Sequence, residues 1–84
     1  MRKKDGLIEN YIDDECLILD TSNQKSHHLN QVAVIIWRYL DSIYDLDKLA
    51  ENLVENFDTN KEEARRDVEQ IVQEFIRVGI LFAE

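Results

Sequence analysis

The chain has 84 residues, of which 44% are hydrophobic, and this length suffices for one small domain with its own core. Eighteen acidic residues against ten basic ones give a net charge of −8, which disfavours binding to duplex nucleic acid or to an anionic membrane. No apolar run is long enough for a secretory signal or a membrane span, and Cys16 has no partner for a disulfide. We therefore expect a single domain over residues 1–84, located in the cytoplasm.

The first third of the chain has the pattern of three short strands. Leu7–Ile12 mixes apolar and polar residues as an edge or half-buried strand does, whereas residues 16–19 are continuously apolar and predict a buried strand. The turn-forming residues 20–24 predict a reversal of the chain. Lys25–Leu29 then returns as a third strand, and its polarity predicts a position at the edge of the sheet.

From residue 30 onward the apolar residues recur with a helical period and predict three helices. Asn30 and Asp45 are N-cap residues for the first two, and Thr59 with Glu62 forms a capping box for the third, which Gly79 is placed to end. The apolar faces of the three helices consist of Ala33, Ile36, Trp37 and Leu40, then of Leu46, Leu49, Ala50, Leu53 and Phe57, and then of Ala64, Val68, Ile71, Val72, Phe75 and Ile76.

Two shorter segments complete the predicted fold. Asp41 and Ser42 are expected to end the first helix, and the apolar residues 80–82 form a tail that we expect to dock onto the core. Three strands followed by three helices predict an α+β domain with a small antiparallel sheet.

An ordered set of short motifs resembles the PqqD family, which is named for the small chaperone of pyrroloquinoline quinone biosynthesis. The motifs are Leu29-Asn30, Ile36-Trp37, Leu40-Asp41, Asp67-Val68 and Gly79-Ile80-Leu81. Residues 21–24 replace the Pro-Glu-Gly stretch of PqqD proteins, and the chain is more similar to the stand-alone leader-binding proteins of lasso-peptide clusters. Such proteins are RiPP recognition elements, which bind the leaders of ribosomally made, post-translationally modified peptides.

This resemblance implies a winged helix-turn-helix fold in which the leader peptide adds as an antiparallel strand beside the third strand. The third helix then forms the second wall of the groove, and Val72→Asp is expected to abolish leader binding without unfolding the protein. The residues expected to bind the peptide are Lys25, Ser26, His27, His28 and Leu29 on the strand, with Lys61, Arg65, Val68, Val72 and Ile76 on the helix.

Two assignments have an alternative. Val72 and Ile76 lie on the shoulder of the predicted helical stripe, where they fit either a groove wall, with Lys61 or Arg65 meeting an acidic leader side chain, or a wide core face. His28 fits either a pH-sensitive contact to the peptide or an exposed strand residue with no role.

DNA binding through the third helix is a rival function, because winged helix-turn-helix domains commonly use that helix in the major groove. Gln70 and Gln73 could read bases, but the basic residues of this helix are offset by acidic neighbours such as Glu62 and Glu69, so phosphate contacts are few.

The sequence does not predict an enzyme, a metal or a cofactor. His27 and His28 are adjacent, so in a strand they point to opposite faces and cannot share a metal ion. Cys16 lies in a buried run, where burial raises the pKa of a thiol and opposes catalysis. The acidic triplet at residues 13–15 lacks the ligand spacing of a calcium loop, and two distant glycines cannot build a phosphate loop.

The partners implied by the resemblance are a precursor peptide and the enzyme that modifies it. A leader peptidase or a cyclase fits the lasso type, while other members of the family serve radical SAM enzymes. We expect a monomer, with a dimer as the alternative, and neither nucleic acid nor a membrane as partner.

Overall fold

The computed structural model describes residues 1–41 and 45–83, which form five strands and three helices. In chain order these are β1 (Arg2–Lys3), β2 (Leu7–Ile12), β3 (Glu15–Asp20), β4 (Lys25–Leu29), α1 (Gln31–Tyr39), α2 (Leu46–Asn56), α3 (Lys61–Arg77) and β5 (Leu81–Phe82). The predicted α+β class, with a three-stranded antiparallel sheet ahead of three helices, is confirmed.

The main sheet consists of β2, β3 and β4, with β3 in the middle, so that β2 and β4 are both edge strands. The register pairs Cys16 with Leu29 and Ile18 with His27. Burial alternates along β3, because Cys16, Ile18 and Asp20 point toward the helices while the residues between them point outward. The predicted edge position of the polar strand is confirmed.

A second, two-stranded sheet joins the N-terminal and C-terminal segments, and the sequence did not predict it. Arg2 pairs with Phe82, and Lys3 pairs with Leu81, in an antiparallel register. The Arg2 guanidinium lies 4.6 Å from the centre of the Phe82 ring, and the Lys3 ammonium lies 4.2 Å from the centre of the Trp37 ring. The predicted docking of the apolar tail is confirmed, since Leu81 is buried.

The N-caps of α1 and α2 are the predicted ones. Asn30 accepts a hydrogen bond from the third N–H group of α1 at 2.9 Å, and Asp45 accepts one from the second N–H group of α2 at 2.8 Å. Leu40 is the C-cap of α1. Ser42, which was expected to help end this helix, lies outside the described residues.

The N-cap of α3 corrects the prediction by one residue. Asn60 rather than Thr59 occupies the cap, because its Oδ1 accepts a hydrogen bond from Glu63 N at 2.8 Å while its carbonyl oxygen accepts one from Ala64 N at 2.9 Å. The extended backbone of Asn60, with φ of −103° and ψ of 168°, aims the side chain back at the first turn. At the other end Gly79 follows the C-cap with φ of +84°, as predicted.

The core lies between the main sheet and the three helices, with Trp37 at its centre. The indole is fully buried and packs edge to face on Phe75 of α3, with ring centres 5.1 Å apart and an angle of 78° between the planes. The predicted apolar faces of α1 and α2 are confirmed by full or partial burial. The predicted stripe of α3 is likewise fully or partly buried, with Val72 buried and Ile71 half-buried.

Asp20 is the one charged residue that is buried in the described part of the chain. Its Oδ2 accepts a hydrogen bond from Lys4 Nζ at 2.7 Å, and its Oδ1 accepts hydrogen bonds from the backbone N–H and the hydroxyl of Ser22 at 3.1 and 2.8 Å. The hydrogen bond from Lys4 is the main reason that the pKa of Asp20 is lowered to about 2. The ion pair connects the segment after β1 to the end of β3.

We expect Asp20→Asn to lower the free energy of unfolding at neutral pH, because the substitution removes the negative charge that pairs with Lys4. The folded pKa lies below the value of about 3.9 for an unfolded aspartate, so the contribution is complete above about pH 5 and is lost as the pH falls toward 2. Urea unfolding, followed by Trp37 fluorescence at several pH values, measures the difference in the free energy of unfolding between the variant and wild type. Asp58→Asn, at an exposed position, is the control, and a deficit that persists unchanged at about pH 2 would contradict the assignment.

Candidate functional site

The outer edge of β4 has unpaired backbone groups. β4 is hydrogen-bonded to β3 on one side, and within the described residues no strand pairs with its other side. Alternate residues of a β-strand direct their N–H and C=O groups to a given side, so the edge offers a short ladder of donors and acceptors. An extended peptide can satisfy them by adding as a further strand.

A cleft of about 360 Å³ separates this edge from α3. No Cα of α3 comes within 8 Å of a Cα of β4 in the described part of the chain, so the two elements stand as opposite walls. The volume is at the low end of the roughly 300–1,000 Å³ of ligand pockets, enough for a few side chains of a peptide. The lining residues are Ser26, His27, His28, Leu29, Asn30, Ala33, Ile71, Glu74, Phe75, Val78 and Ile80.

The α3 wall of the cleft is mostly apolar. Glu74, Phe75 and Val78 lie three, four and seven residues after Ile71, which places all four on one face of a helix. Ile71 and Val78 are half-buried, so part of each side chain is open to the cleft, while Phe75 is buried beneath them. This wall can therefore receive apolar side chains from a bound strand.

Glu74 is the acidic residue of this wall, and Arg77 neutralises it. Arg77 donates hydrogen bonds from Nε and Nη2 to the two carboxylate oxygens at 2.9 and 2.5 Å. The hydrogen bonding from Arg77 lowers the pKa of the Glu74 carboxyl and keeps it ionised. The rim of the cleft is thus polar but carries no net charge from this pair.

The two adjacent histidines of β4 lie on opposite faces of the sheet, as predicted. His27 is half-buried on the inner face, and its Nε2 is buried with no hydrogen-bond partner among the described residues. His28 is exposed on the outer face, with its Nε2 at 2.5 Å from Glu15 Oε1. A buried nitrogen without a partner is costly, so His27 is the side chain of this strand that gains most from a polar group entering the cleft.

The predicted strand residues mostly reach the cleft. Ser26, His27, His28 and Leu29 line it, whereas Lys25 is exposed at the start of β4 and lies outside the lining. Asn30 and Ala33, from the N-terminus of α1, also line the cleft and were not predicted.

The predicted helix residues lie elsewhere on α3. Val68 and Val72 are buried in the core, and half-buried Ile76 lies outside the cleft lining. Lys61 borders a surface depression beside α2, and Arg65 is ion-paired with Asp47 of α2 and Glu69 of its own helix. Their contact with a leader peptide stays a prediction, but the structure does not bring them to the β4 edge.

Of the two alternatives for Val72, its burial agrees with the wide core face rather than with the groove wall. The cleft meets α3 about 100° away, at Ile71, which was predicted to face the core and also lines the cleft. The missed wall residues are Ile71, Glu74, Phe75 and Val78. The sequence contains a signal for them, because the helical spacing of Ile71 and Phe75 continues to Val78, one turn beyond Phe75.

Other kinds of site have little support. No cluster of potential metal ligands occurs among the described residues, and no helix in residues 1–41 or 45–83 is long and apolar enough to cross a membrane. Burial raises the pKa of the Cys16 thiol, which favours the unreactive protonated form. On α3, Arg65 and Arg77 are paired with acidic residues, so Lys61 and Arg66 are the remaining basic residues of this helix for DNA phosphates.

The PqqD family, described as coenzyme PQQ synthesis protein D, matches the chain over residues 15–81. The chain belongs to the PqqD family. The matched residues run from β3 to the start of β5, and so include both walls of the cleft. No curated protein matches this PqqD-family chain.

Two solved structures share the fold of this PqqD-family member. One is TbiB1 in complex with the TbiA(beta) leader peptide, with 19% sequence identity, a TM-score of 0.87 and complete coverage of both chains. The other is lasso peptide synthetase B1 complexed with the leader peptide, with 20% identity and a TM-score of 0.88, covering 98% of this chain and 96% of that one. The fold is therefore the same at low sequence identity.

Aspartate at three successive positions of α3 tests the corrected helix face. Gln70 is exposed, Ile71 is half-buried and Val72 is buried. We expect Val72→Asp to reduce the free energy of unfolding by about 3 kcal/mol or more, because it buries a charge. Ile71→Asp should cost about 1 kcal/mol and Gln70→Asp less. Urea unfolding of the three variants ranks their stabilities, and a stable Val72→Asp protein would favour the groove-wall alternative for this residue.

Proposed function

We propose that this chain binds the leader of a ribosomally made precursor peptide, which adds as an antiparallel strand at the free edge of β4. The observation that carries the proposal is the combination of an unpaired strand edge with an apolar cleft beside it. The two solved structures with the same fold support it, because both were determined as complexes with leader peptides.

Strand addition accounts for both the affinity and the selectivity of such a site. Backbone hydrogen bonds to β4 supply affinity for any extended peptide, and the pockets that receive alternate side chains supply selectivity. Inward side chains of the leader would meet Ile71, Val78 and the edge of Phe75, so apolar leader residues at every second position fit this wall. A polar side chain or backbone group of the leader would satisfy His27 Nε2.

The chain does no chemistry itself in this proposal. By holding the leader and docking on the modifying enzyme, it raises the local concentration of the precursor at the catalytic site. The lasso type is preferred because both structural neighbours are B1-type proteins with bound leaders, and a leader peptidase is then the first partner to test, ahead of a cyclase or a radical SAM enzyme. We further propose that residues 1–84 act as one monomeric, cytoplasmic binding domain without a cofactor.

Ile71→Asp should weaken leader binding at least about tenfold, because it places a charge in the apolar wall beside the added strand. Gln70→Asp, which adds the same charge on the exposed side of the helix, should change the dissociation constant less than about twofold. Fluorescence polarisation measures both, with a labelled leader from a short peptide that co-purifies with the chain. Equal affinity of the two variants would show that the leader does not use this cleft.

The adjacent histidines provide a second matched pair. We expect His27→Ala to weaken leader binding several-fold, because a hydrogen bond of about 1 kcal/mol to its buried nitrogen is lost. His28→Ala should weaken it less, because the His28 imidazole is exposed on the outer face of the sheet beside Glu15, although the residue also lines the cleft. Isothermal titration of the same leader into each variant compares them. A larger loss for His28→Ala would reverse the assignment of the peptide-facing side.

A further inference from the structure

The outer face of the main sheet carries apolar side chains that no other element covers. Ile8, Ile12 and Leu17 are 49%, 72% and 38% exposed, and half-buried Leu19 pairs with Ile8 across the strands. We call these four residues the outer patch. They point away from the helices, and among the described elements β2 contacts only β3.

This composition is unusual for a solvated sheet face. An antiparallel sheet with one face on the core ordinarily places polar residues on the other face. Here the outward positions of β2 and β3 are apolar at four of six places, with Asn10 and Glu15 as the exceptions. Contiguous exposed apolar side chains of this kind mark surfaces that another protein covers.

We propose that the outer patch is the docking surface for the enzyme that processes the bound leader, and that the enzyme presents a surface that is apolar at its centre and basic at its rim. The inference rests on the proposed leader binding at β4. It adds a second site, on the opposite face of the sheet from the α3 wall.

Continuity with the leader site supports this occupant. The outward side chains of β4 are Ser26 and His28, and they extend the outer patch to the edge where the leader would add. His28 pairs with Leu17 across β4 and β3. The outer patch therefore begins on the strand next to the β4 edge strand, at the distance of about 5 Å that separates neighbouring strands. An enzyme seated there would lie next to the leader strand without competing for the cleft.

A depression of about 250 Å³ at one end of the outer patch indicates the chemistry of the contact. Ile12 and Leu17 form its apolar side, while Asp13, Glu15 and His28 supply polar groups. An arginine or lysine of the partner fits this combination, because its aliphatic stem would cover the apolar side chains while its charged end meets the carboxylates. Arginine is also a common anchor of protein interfaces.

Charge argues against a second copy of this chain as the occupant. The turn that borders the outer patch and the start of β3 have three exposed acidic residues, Asp13, Asp14 and Glu15, and the whole chain carries a net charge of −8. Two copies that buried their outer patches against each other would oppose two acidic surfaces. A basic partner removes that repulsion and gains attraction.

The test uses the double variant Ile12→Ser/Leu17→Ser, with Val54→Ser as the control at an exposed apolar position on α2. Each protein is titrated with the labelled leader by fluorescence polarisation and, by surface plasmon resonance, with a purified leader peptidase that cleaves the precursor. We expect the double variant to bind the leader within about twofold of wild type and the enzyme at least about tenfold more weakly. Binding of the enzyme to wild type should also weaken as salt rises from about 0.05 to 0.5 M.

Each alternative outcome is distinct. Unchanged enzyme affinity in the double variant, or an enzyme that does not bind wild type at all, overturns the docking proposal. So does sedimentation that shows a wild-type dimer which the double variant loses, because the second copy is then the occupant. Failure of wild type to bind the leader overturns the proposed function instead, and the enzyme titration reports separately on the outer patch. If the double variant loses leader binding and circular dichroism shows that it is unfolded, the outer patch has a structural role and the docking proposal is also overturned.

Discussion

The packing of Trp37 against Phe75 sets the distance between the sheet and α3, and the candidate site depends on that distance. α1 contacts β3, β4, α2 and α3, whereas β4 and α3 do not approach each other. The Phe75 ring rests on the indole and also lines the cleft. Because the indole N–H is buried without a hydrogen-bond partner among the described residues, the residue contributes through its volume and its ring contacts, which include the Lys3 ammonium.

Much of the fold could be predicted from the sequence, because its signals are local. The period of the apolar residues and the capping side chains at positions 30 and 45 are enough to define the main strands and the first two helices. The β1–β5 pair could not be predicted in this way. Each strand has two residues, β1 is wholly basic, and the pairing is stabilised by contacts between distant segments, such as Arg2 on Phe82 and Lys4 on Asp20. The N-cap of α3 could not be predicted for a different reason. Thr59 and Asn60 are both good N-cap residues, and only the backbone conformation decides between them.

The candidate site was predictable on one wall and not on the other. Lys25–Leu29 could be assigned because a polar strand after a buried one belongs at an edge, and because the resemblance implies binding there. The α3 wall could not be assigned, because a wide apolar stripe does not reveal which part faces the sheet and which part faces α2. Val68 and Val72 are covered by the core, and Ile71 is left partly open, only because α1 holds the sheet away from this side of α3.

The inward side chains, rather than the backbone, distinguish the two free edges of the sheet. Beside β2 there is a smaller depression of about 180 Å³, where Arg38 lies 5.3 Å from the centre of the Tyr11 ring and the Tyr11 hydroxyl donates a hydrogen bond to Glu9 at 2.5 Å. An added strand at that edge would have to desolvate these charged groups, and inward charges of this kind protect strand edges from pairing. At β4 the inward positions next to the cleft hold His27, whose Nε2 is unsatisfied, and Leu29, which is already buried. Neither places a charge in the way of an added strand, so strand addition is favoured at β4 and opposed at β2 although the backbones of the two edges are equally able to pair.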